Sequence, residues 1–508
     1  MDSGTAMASP MPVAGRRFDI FEYVIDGNTV LQVPEVEEAV YPFLGEQREA
    51  DDVDKAREAL ERLYQSKGFQ AVQVSIPEQG IESGIIHIQV TENPVGRLRI
   101  VDSRFHSLQA LRENAPSLAE GKVLNTKDVQ ADIVALNQQP NVTITPQLKA
   151  GRVPGTVDVD LQVQDHPPFH ASVEVNNQYG QATSELRTVA SVGYDNLWQL
   201  GHSVNLSYLI APQDPDDAKV LSGSYLARIP RTSVSLLGYA VKSDSNVAAL
   251  AGTDVVGKGT IFGARAIVSL PGTDMFFQSL TLGVDRKNLT QNVITSGVPS
   301  NAPILYYPAS IAYSGTWQQG EEATHIGASL NFALPAGSGS SKFDAQRFDA
   351  LRQYFYVKGD ASRSQPLPLD LILYGRAAGQ ITEDSLLSSE QLSAGGENTV
   401  RGYLEAERLG DYGALGTLEL RSPNFGTDIY SGIKEWRVLA FVDGAILAIR
   451  NPLPGQLTSY RIAGAGIGTR FNAFDRVNAA FDVAYAIADG AVTQSGTTRL
   501  HFRVWSGF

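Results

Sequence analysis

The segment "RVNAAFDVAYAI", residues Arg476–Ile487, alternates between two kinds of side chain along its whole length. Successive side chains of a β-strand point to opposite faces, so the alternation predicts a strand with one apolar face and one small or polar face. The apolar face holds Val477, Ala479, Phe481, Val483, Tyr485 and Ile487, and the other face holds Asn478, Ala480, Asp482, Ala484 and Ala486.

Segments of the same kind fill the chain after Pro168. About sixteen of them follow, each of roughly ten residues, which is the length that crosses a bilayer when a strand is tilted. One face of such a strand suits lipid and the other suits a wet or packed lumen. In the last segment, "RLHFRVWSGF", the apolar side chains are Leu500, Phe502, Val504 and Phe508, and they oppose Arg499, His501, Arg503 and Trp505.

The connections between these segments distinguish a membrane barrel from a soluble β-sandwich, which would also alternate. Short connections, such as Trp198–His202 and Asn472–Asp475, alternate along the chain with long ones, such as Ser243–Gly257 and Thr290–Pro303. Short turns on one side and long loops on the other are typical of outer-membrane barrels. We therefore predict a mainly β chain, with a 16-stranded antiparallel transmembrane β-barrel over residues 167–508.

Two small α+β modules are predicted ahead of the barrel, over residues 18–93 and 94–166. Each module has the order strand, helix, helix, strand, strand. In the first, "FDIFEYVI" alternates like a strand, and Ala56, Leu60 and Tyr64 later share one face of a helix. In the second, "GRLRIVDS" and "TVDVDLQVQD" are the first and last strands. The repeated order predicts two tandem copies of one fold.

Composition and motifs exclude several functions. The 508-residue chain has a net charge of −14, which argues against nucleic acid as a partner because phosphate binding needs a basic face. The chain has no cysteine, which excludes disulfides, zinc–thiolate sites and cysteine nucleophiles. Its seven histidines show no metal-ligand spacing, and it contains no phosphate-binding glycine loop and no G-x-S-x-G elbow. We expect no enzymatic activity, no cofactor and no metal site.

Several short sequence motifs are similar to those of a known protein family. "IPEQGIESGIIHIQV" contains Pro77, Gln79 and Gly84 in a P-x-Q-x-x-x-x-G pattern. "LNQQPNVTI" follows in the second module, and "YDNLWQLGHSVNLSY" lies at the first barrel hairpin. "TVRGY" (Thr399–Tyr403) lies in a long loop, and "FVDGA" (Phe441–Ala445) lies on a later strand. In this order the motifs resemble those of the two-partner secretion transporters (TpsB family) of the filamentous-haemagglutinin and haemolysin exporter type.

The resemblance implies a function and a location. It implies two POTRA domains in the periplasm and a barrel in the bacterial outer membrane. The barrel would export one large TpsA-type client, such as an adhesin, cytolysin or protease, without ATP. The other partners would be outer-membrane lipid and, through the terminal aromatic residue Phe508, the barrel assembly machinery. We expect a monomer.

The start of the chain departs from the family pattern. The family has a plug helix ahead of its first POTRA domain, and residues 1–17 are too few for both a plug helix and a linker across the barrel. We therefore expect an N-terminal segment without a plug helix and a more open pore. Ala6-Met7-Ala8 resembles the end of a signal-peptide cleavage site, so we also expect a signal or start that was trimmed.

A long loop over residues 381–413 lies between predicted barrel strands eleven and twelve, and the resemblance places it inside the lumen. Asp443 would be the partner of Arg401, because a guanidinium can bond both oxygens of a carboxylate at once. Tyr403 would pack against the wall beside Phe441. The residues assigned to this loop–barrel latch are Val400, Arg401, Gly402, Tyr403, Phe441, Asp443 and Gly444.

The modules are expected to bind the client by β-augmentation, in which an extended client segment pairs with an exposed edge strand. The candidate edges are Gln70–Ile76 and Asn141–Gln147. The residues assigned to client binding are Gln70, Val72, Val74, Pro77, Gln79, Val142 and Ile144.

Three other functions compete with export. The first alternative is an outer-membrane assembly factor of the same superfamily, which would insert barrels into the membrane. Two modules and the P-x-Q pattern favour the exporter, because assembly factors usually carry more modules. A passive porin would need neither modules nor a latch, and a membrane-bound hydrolase would need a catalytic constellation that the sequence lacks.

Overall fold

The computed structural model of the chain describes residues 17–80, 83–137, 139, 141–230, 232–245, 247–250, 253–256, 258–273, 275–295 and 298–508. They form two compact units, one ending at Pro168 and the other running from Phe169 to Phe508. The expectations about a plug helix and a trimmed signal concern residues outside these ranges and stay predictions. Within the described ranges, no helix is long and apolar enough to cross a membrane.

The first module packs two helices against a small sheet. Helix α2 begins with a reciprocal capping box, in which Glu49 and Asp52 each accept from the other's main-chain N–H. Its side chains Ala56, Leu60 and Tyr64 are fully buried in the module's core, on the face that the sequence predicted. The elements are β1 (Phe18–Ile20), β2 (Glu22–Asp26), α1 (Val33–Val40), β3 (Gly45–Arg48), α2 (Ala50–Ser66), β4 (Gln73–Ser75) and β5 (Ile85–Thr91).

The second module repeats the topology of the first. Its elements are β6 (Val95–Val101), α3 (Leu108–Glu113), α4 (Thr126–Asn137), β7 (Val142–Ala150) and β8 (Val157–Asp165). In each module the first long strand pairs in parallel with the last, and the last pairs antiparallel with the strand before it. The sheet orders are therefore equivalent, β2-β5-β4 and β6-β8-β7.

The end of α2 meets the start of α4, which fastens the two modules together. The main-chain N–H and the hydroxyl of Thr126 donate to Gly68 O over 2.9 and 3.0 Å. The side-chain amide of Asn125 donates to Lys67 O over 3.0 Å. Carbonyl groups at a helix C-terminus need partners from outside the helix, and here the second module provides them. Val123 adds an apolar contact with the core of the first module.

The second unit is a closed antiparallel barrel that has 16 strands within the described residues. The eighth strand is interrupted at Tyr307, but its two segments keep one register with their neighbour. The segments before the predicted lumenal loop, with one separate hairpin (β14 and β15), are β9 (Phe169–Asn176), β10 (Arg187–Leu197), β11 (His202–Ile210), β12 (Lys219–Arg228), β13 (Val234–Ser243), β14 (Val247–Leu250), β15 (Thr253–Val256), β16 (Lys258–Thr273), β17 (Phe276–Thr295), β18 (Val298–Tyr306), β19 (Pro308–Gln319), β20 (Glu322–Ala333), β21 (Phe355–Pro366) and β22 (Ile372–Ile381).

The remaining strands complete the barrel and form a ribbon in the loop. The ribbon consists of β23 (Leu392–Ala394) and β24 (Arg408–Gly410). The last barrel strands are β25 (Tyr412–Arg421), β26 (Ile433–Ala448), β27 (Ser459–Ala473), β28 (Val477–Ala486) and β29 (Thr498–Gly507). Two short helices, α5 (Ser340–Gln346) and α6 (Gly426–Ile429), lie in the connections. Short 3-10 turns cover Tyr41–Phe43, Pro116–Leu118, Pro368–Asp370 and Ser388–Glu390.

The alternation of the opening segment is confirmed in β28. Phe481 and Tyr485 are 39% and 50% exposed on the outer face, whereas Asp482 and Ala484 are buried on the inner face. The apolar outer face is what a lipid-facing barrel strand requires, because lipid cannot bond polar groups.

The barrel closes between its first and last strands. β29 pairs with β9 over five residue pairs, from Arg503 opposite Asn176 to Gly507 opposite Ser172. Beyond that register the side-chain amide of Asn177 donates to Leu500 O over 2.7 Å and accepts from the N–H of Phe502 over 2.8 Å. At the other end of the seam, the N–H of the terminal residue Phe508 donates to Ala171 O over 3.1 Å. The recognition of Phe508 by an assembly machinery stays a prediction.

Candidate functional site

The long loop connects the eleventh and twelfth barrel strands, β22 and β25, as the sequence predicted. Pairing of Leu392 with Gly410 and of Ala394 with Arg408 makes its two arms a short antiparallel ribbon. The tip carries the predicted motif, and Val400, Arg401 and Tyr403 are at most 3% exposed there. Because its contacts are with inward-facing side chains of the barrel strands, the tip lies in the lumen.

Arg401 makes a two-pronged contact with Asp443 of β26. Its Nε donates to Asp443 Oδ2 over 2.7 Å, and its Nη2 donates to Oδ1 over 2.9 Å. The main-chain N–H of Arg401 donates to the same carboxylate over 3.1 Å. The guanidinium carbon lies 3.4 Å from the centre of the Phe441 ring, which is a cation–π contact. Backbone, charge and ring contacts thus all fix one side chain to one strand.

Two further carboxylates, which the sequence reading missed, also bind Arg401. Its Nη1 lies 2.8 Å from Glu419 Oε1 on β25 and 3.2 Å from Asp482 Oδ2 on β28. Arg470 on β27 binds both oxygens of Asp482 over 2.6 and 2.9 Å. Arg421 binds Glu419 over 2.7 Å. Three guanidinium groups and three carboxylates therefore balance one another on four adjacent strands, and the loop contributes one of the three cations.

Glycines on β27 make room for this network. A Cβ atom at Gly464 would stand 2.0 Å from Arg401 O, and one at Gly468 would stand 1.8 Å from a carboxylate oxygen of Asp482. At Gly466 the atom would meet the Phe441 ring at 2.7 Å. Real Cβ contacts are not this short, so a side chain at any of the three positions would displace the network. The segment "AGAGIGTRF" (Ala463–Phe471) thus leaves the space that the Arg401 network occupies.

The residues after Arg401 fasten the tip to the last two hairpins. Gly402 has a φ of +99°, which a residue with a side chain adopts only with strain, and its N–H donates to His501 Nε2 over 2.9 Å. The hydroxyl of Tyr403 lies 2.9 Å from Ala463 O and 2.6 Å from Ala488 O. The imidazole of His501 is therefore a neutral acceptor on the lumenal wall and has a structural partner.

The returning arm of the loop is tied to the connection between β28 and β29. One oxygen of Glu407 accepts from the main-chain N–H groups of Ala491, Val492 and Thr493 over 2.8–3.1 Å. The other oxygen accepts from the Thr493 hydroxyl and the N–H of Leu404. Burial alone would raise the pKa of Glu407, but hydrogen bonds from Thr493 and from main-chain N–H groups lower it below its ordinary value.

The structure brings together most of the predicted latch residues. Val400 is fully buried in a cluster with Tyr403, and Arg401 faces Asp443 as predicted. Two placements differ. It is Arg401, and not Tyr403, that packs against Phe441, because the chain turns at Gly402 and carries Tyr403 toward β27 and β28.

Gly444 is the second difference. It follows Asp443 on β26, and successive strand residues point to opposite faces, so Gly444 points away from the loop. A Cβ atom there would have Ile462 O, at 3.9 Å, as its nearest neighbour. Asp482, by contrast, lay on the polar face of the opening sequence segment, which was a signal for the network that the sequence reading did not use.

Most side chains assigned to client binding are engaged within their own modules. Val72, Val74, Val142 and Ile144 are buried in the cores of their own modules, so their side chains cannot contact a client. The predicted strand over Gln70–Ile76 shrinks to β4, which leaves Gln70 and Pro77 outside it. β4 and β7 do lie at sheet edges.

Gln79 completes the first module's own sheet. Its amide nitrogen donates to His87 O over 2.7 Å, and its amide oxygen accepts from the N–H of His87 over 2.6 Å. Beyond the end of β4 the side chain thus supplies both bonds that a strand residue would supply to β5. This use of Gln79 differs from the predicted contact with a client.

Fold and site together define a class: outer-membrane-type barrels preceded by two POTRA-like modules, with a loop latched inside the lumen. Residues 18–93 match a family described as "POTRA domain, ShlB-type". Residues 317–471 match one described as "Haemolysin secretion/activation protein ShlB/FhaC/HecB". The matches confirm the resemblance to the two-partner secretion (TpsB) transporters that was drawn from the sequence.

Individual relatives are distant in sequence. The outer membrane transporter CdiB of Dickeya dadantii is 23% identical over 92% of this chain and 82% of its own length. The heme/hemopexin transporter protein HuxB of Haemophilus influenzae is 22% identical over 73% of this chain and 66% of its own length. The solved structure of CdiB from Escherichia coli shares the fold, with a TM-score of 0.71 and 19% identity over 97% of this chain and 91% of that one.

Proposed function

We propose that this protein exports one large secreted protein from the periplasm to the cell surface as the transporter of a two-partner secretion system. It lies in the outer membrane with its POTRA domains in the periplasm, as its relatives' family and fold require. The observation that carries the proposal is the buried Arg401 network, which holds a loop in the lumen of a barrel that follows two POTRA domains.

The latch is the part of the pore that we expect to move. A loop held against four strands occupies lumen space that a passing client needs. Because the loop supplies one cation of a balanced network, its release leaves two cations facing three carboxylates on the wall. Export therefore depends on whether the Arg401 contacts hold the loop against the wall or release it. Client folding outside the cell supplies the driving force, since the chain has no nucleotide motif.

The POTRA domains are proposed to receive the client in extended form. The inward-facing side chains of the edge strands, Val74, Val142 and Ile144, are committed to the cores, so we expect recognition to use the main chain of β4 and β7. Edge strands offer unpaired N–H and C=O groups, which is the requirement for β-augmentation.

The remaining partners and the client type are also proposals. We infer a monomer that contacts lipid with the outer face of its strands and is inserted by the barrel assembly machinery. We infer an adhesin, cytolysin or protease as the client, and no catalytic activity of the chain itself. The lumenal side chains that could have served chemistry are engaged otherwise: His501 accepts from Gly402, and Arg503 binds Glu174 over 2.7 Å.

The test is deletion of the protein in its own bacterium, with two measurements in the same cells. Export predicts that one large secreted protein disappears from the medium and cell surface, while the amounts of other folded outer-membrane barrels stay the same. A general fall in other barrels would instead establish the assembly-factor alternative. Loss of small-solute uptake alone, with all secreted proteins unchanged, would indicate a porin.

A further inference from the structure

A second fastening holds the lumenal loop at its base, apart from Arg401. The carboxylate of Asp411 is fully buried and accepts five hydrogen bonds. Two come from Arg347, over 2.7 and 2.6 Å, in the forked geometry that only arginine provides. The others come from Leu386 N, Gln391 Nε2 and Arg450 N over 2.7–3.0 Å. We call Arg347, Leu386, Gln391, Asp411 and Arg450 the base clasp.

The base clasp ties the two arms of the loop to each other. Leu386 and Gln391 lie on the outgoing arm, and Asp411 lies on the returning arm. The side-chain amide of Gln380 adds another tie, donating to Glu390 O over 3.1 Å and to Asp411 O over 2.8 Å. The ribbon of β23 and β24 continues this pairing toward the tip. Neither the clasp nor the ribbon uses Arg401.

The tip also has hydrogen bonds of its own. The N–H of Gly396 donates to Val400 O, and the N–H of Ala406 donates to Gly395 O, each over 3.2 Å. The N–H of Glu397 donates to the Glu405 carboxylate over 2.9 Å. Main-chain groups that are satisfied within the loop do not need the barrel wall as a partner. The loop can therefore leave the wall without losing these bonds.

Arg347 reaches the base clasp from a different part of the barrel. It ends helix α5, in the connection between β20 and β21, and Phe343 of that helix is buried with Leu386. Besides Asp411, the guanidinium donates to Leu386 O and, over 3.1 Å, to Arg450 O. One side chain thus joins the base of the loop to two other connections of the barrel.

We propose that Arg347 is a positioning residue for the lumenal loop: through the base clasp it makes the loop a rigid hairpin. When the Arg401 latch opens, the hairpin swings about its base as one body, keeping its internal shape. The proposal rests on the proposed function, since it describes how the moving part of the exporter moves. It predicts two separable roles: the contacts of Arg401, Tyr403 and Glu407 with the wall set the position of the hairpin, and the base clasp sets its shape.

The absence of cysteine from the chain allows spin labels at chosen sites. Labels replace Asn398 at the tip, Glu383 near the base and Lys434 on β26, all three of which are exposed. Pulsed electron resonance measures tip-to-base and tip-to-wall distances in the purified full-length protein. In Arg401→Ala the tip-to-wall distribution should broaden while the tip-to-base distribution stays as in the parent. Adding Arg347→Ala should broaden the tip-to-base distribution as well.

Controls separate positioning from general destabilisation. Arg347→Lys should resemble Arg347→Ala, because an ammonium cannot form the fork. Arg352→Ala is the matched control, since Arg352 lies in the same connection and donates to Pro335 O over 3.0 Å. If Arg347→Ala yields no folded barrel, Asp411→Asn, which preserves size and removes the charge, should give the same broadening.

Two results would overturn the proposal. One is a tip-to-base distribution that broadens in Arg401→Ala alone, because the loop would then lose its internal structure on leaving the wall and would not move as one body. The other is a tip-to-base distribution that stays narrow in the double variant and in Asp411→Asn combined with Arg401→Ala. The distances are measured without a client, so either result is distinguishable from a failure of the export function.

Discussion

At the scale of single residues, Arg401 is a buried cation that binds three carboxylates. Breaking a buried ion pair by removing one partner typically costs about 3–5 kcal/mol, whereas an exposed pair is worth about 0–1 kcal/mol. Asp443 was predicted as the partner because the motifs around Arg401 and Asp443 resemble a loop motif and a strand motif that pair in the two-partner secretion transporters. Glu419 and Asp482 were not predicted, because alternation fixes the face of a side chain but not the register of neighbouring strands.

Gly464→Ala should displace the loop tip. The added methyl would stand 2.0 Å from Arg401 O, and overpacking of this kind costs about 1–3 kcal/mol. The measurement is the rate of thiol labelling at Val400→Cys, a fully buried site in a chain that has no other cysteine. Labelling should be faster with Gly464→Ala than without it. Gly444→Ala on β26 is the control and should leave the rate unchanged; equal rates in both variants would contradict the assigned contact.

At the scale of elements, alternation and periodicity predicted which strands and helices exist, but not what completes them. The strand expected over Gln70–Ile76 is only three residues long, since the side chain of Gln79 replaces its continuation. The ribbon of β23 and β24 was not predicted, because its strands are three residues long and show no usable period. The Gln79 side chain and the ribbon both depend on contacts between residues that are distant in sequence. Local sequence patterns do not contain information about such contacts.

The junction of α2 and α4 predicts a specific effect of Gly68→Ala. Gly68 has a φ of +100°, and a Cβ atom there would meet Asn125 Oδ1 at 2.4 Å. The substitution should loosen the junction and raise hydrogen exchange at the end of α2 and the start of α4 in the full chain. Gly80→Ala, at a position with nothing within 4 Å, should leave exchange unchanged. Unchanged exchange in both variants would show that the modules are not fastened there.

Asp165 predicts a pH dependence in the second module. Burial favours its neutral form, but hydrogen bonds from the N–H of Phe105, the His106 side chain and the N–H of Arg104 lower its pKa below the ordinary value. A carboxyl whose pKa is lower in the folded state contributes stability above its unfolded pKa of about 3.9, and this stability is lost as pH falls through the folded pKa.

The measurement is amide protection of residues 104–106 in the full chain, corrected for intrinsic exchange. Protection should fall as the pH is lowered below about 4, and Asp165→Asn should remove this dependence. The asparagine variant should also be less protected at neutral pH, because an amide oxygen accepts these bonds more weakly than a carboxylate. A pH dependence that survives in Asp165→Asn would assign it to another group.

At the scale of the whole molecule, the barrel was predictable because its signals repeat. Period-two alternation and alternating connection lengths recur over two-thirds of the chain, so the prediction of a barrel does not depend on any one strand, and the described residues form the 16 strands predicted. The place of the loop between strands eleven and twelve followed from that count. The full attachment of the loop to the wall could not be predicted from that count. The ion network and the base clasp join side chains from connections and strands that are far apart in sequence.

The account's central claim is that the Arg401 network serves export and not merely the stability of the barrel. The most direct test compares, in Arg401→Ala, the amount of client released per amount of folded, heat-modifiable barrel. We predict that this ratio falls more than about tenfold, since leaving the wall carboxylates without Arg401 costs the held position of the loop about 3–5 kcal/mol, and 1.4 kcal/mol corresponds to tenfold. Arg363→Ala, which removes an exposed ion pair with Glu322, should leave the ratio unchanged. If client release and folded barrel fall in equal proportion in Arg401→Ala, or if the ratio does not change, the claim is contradicted.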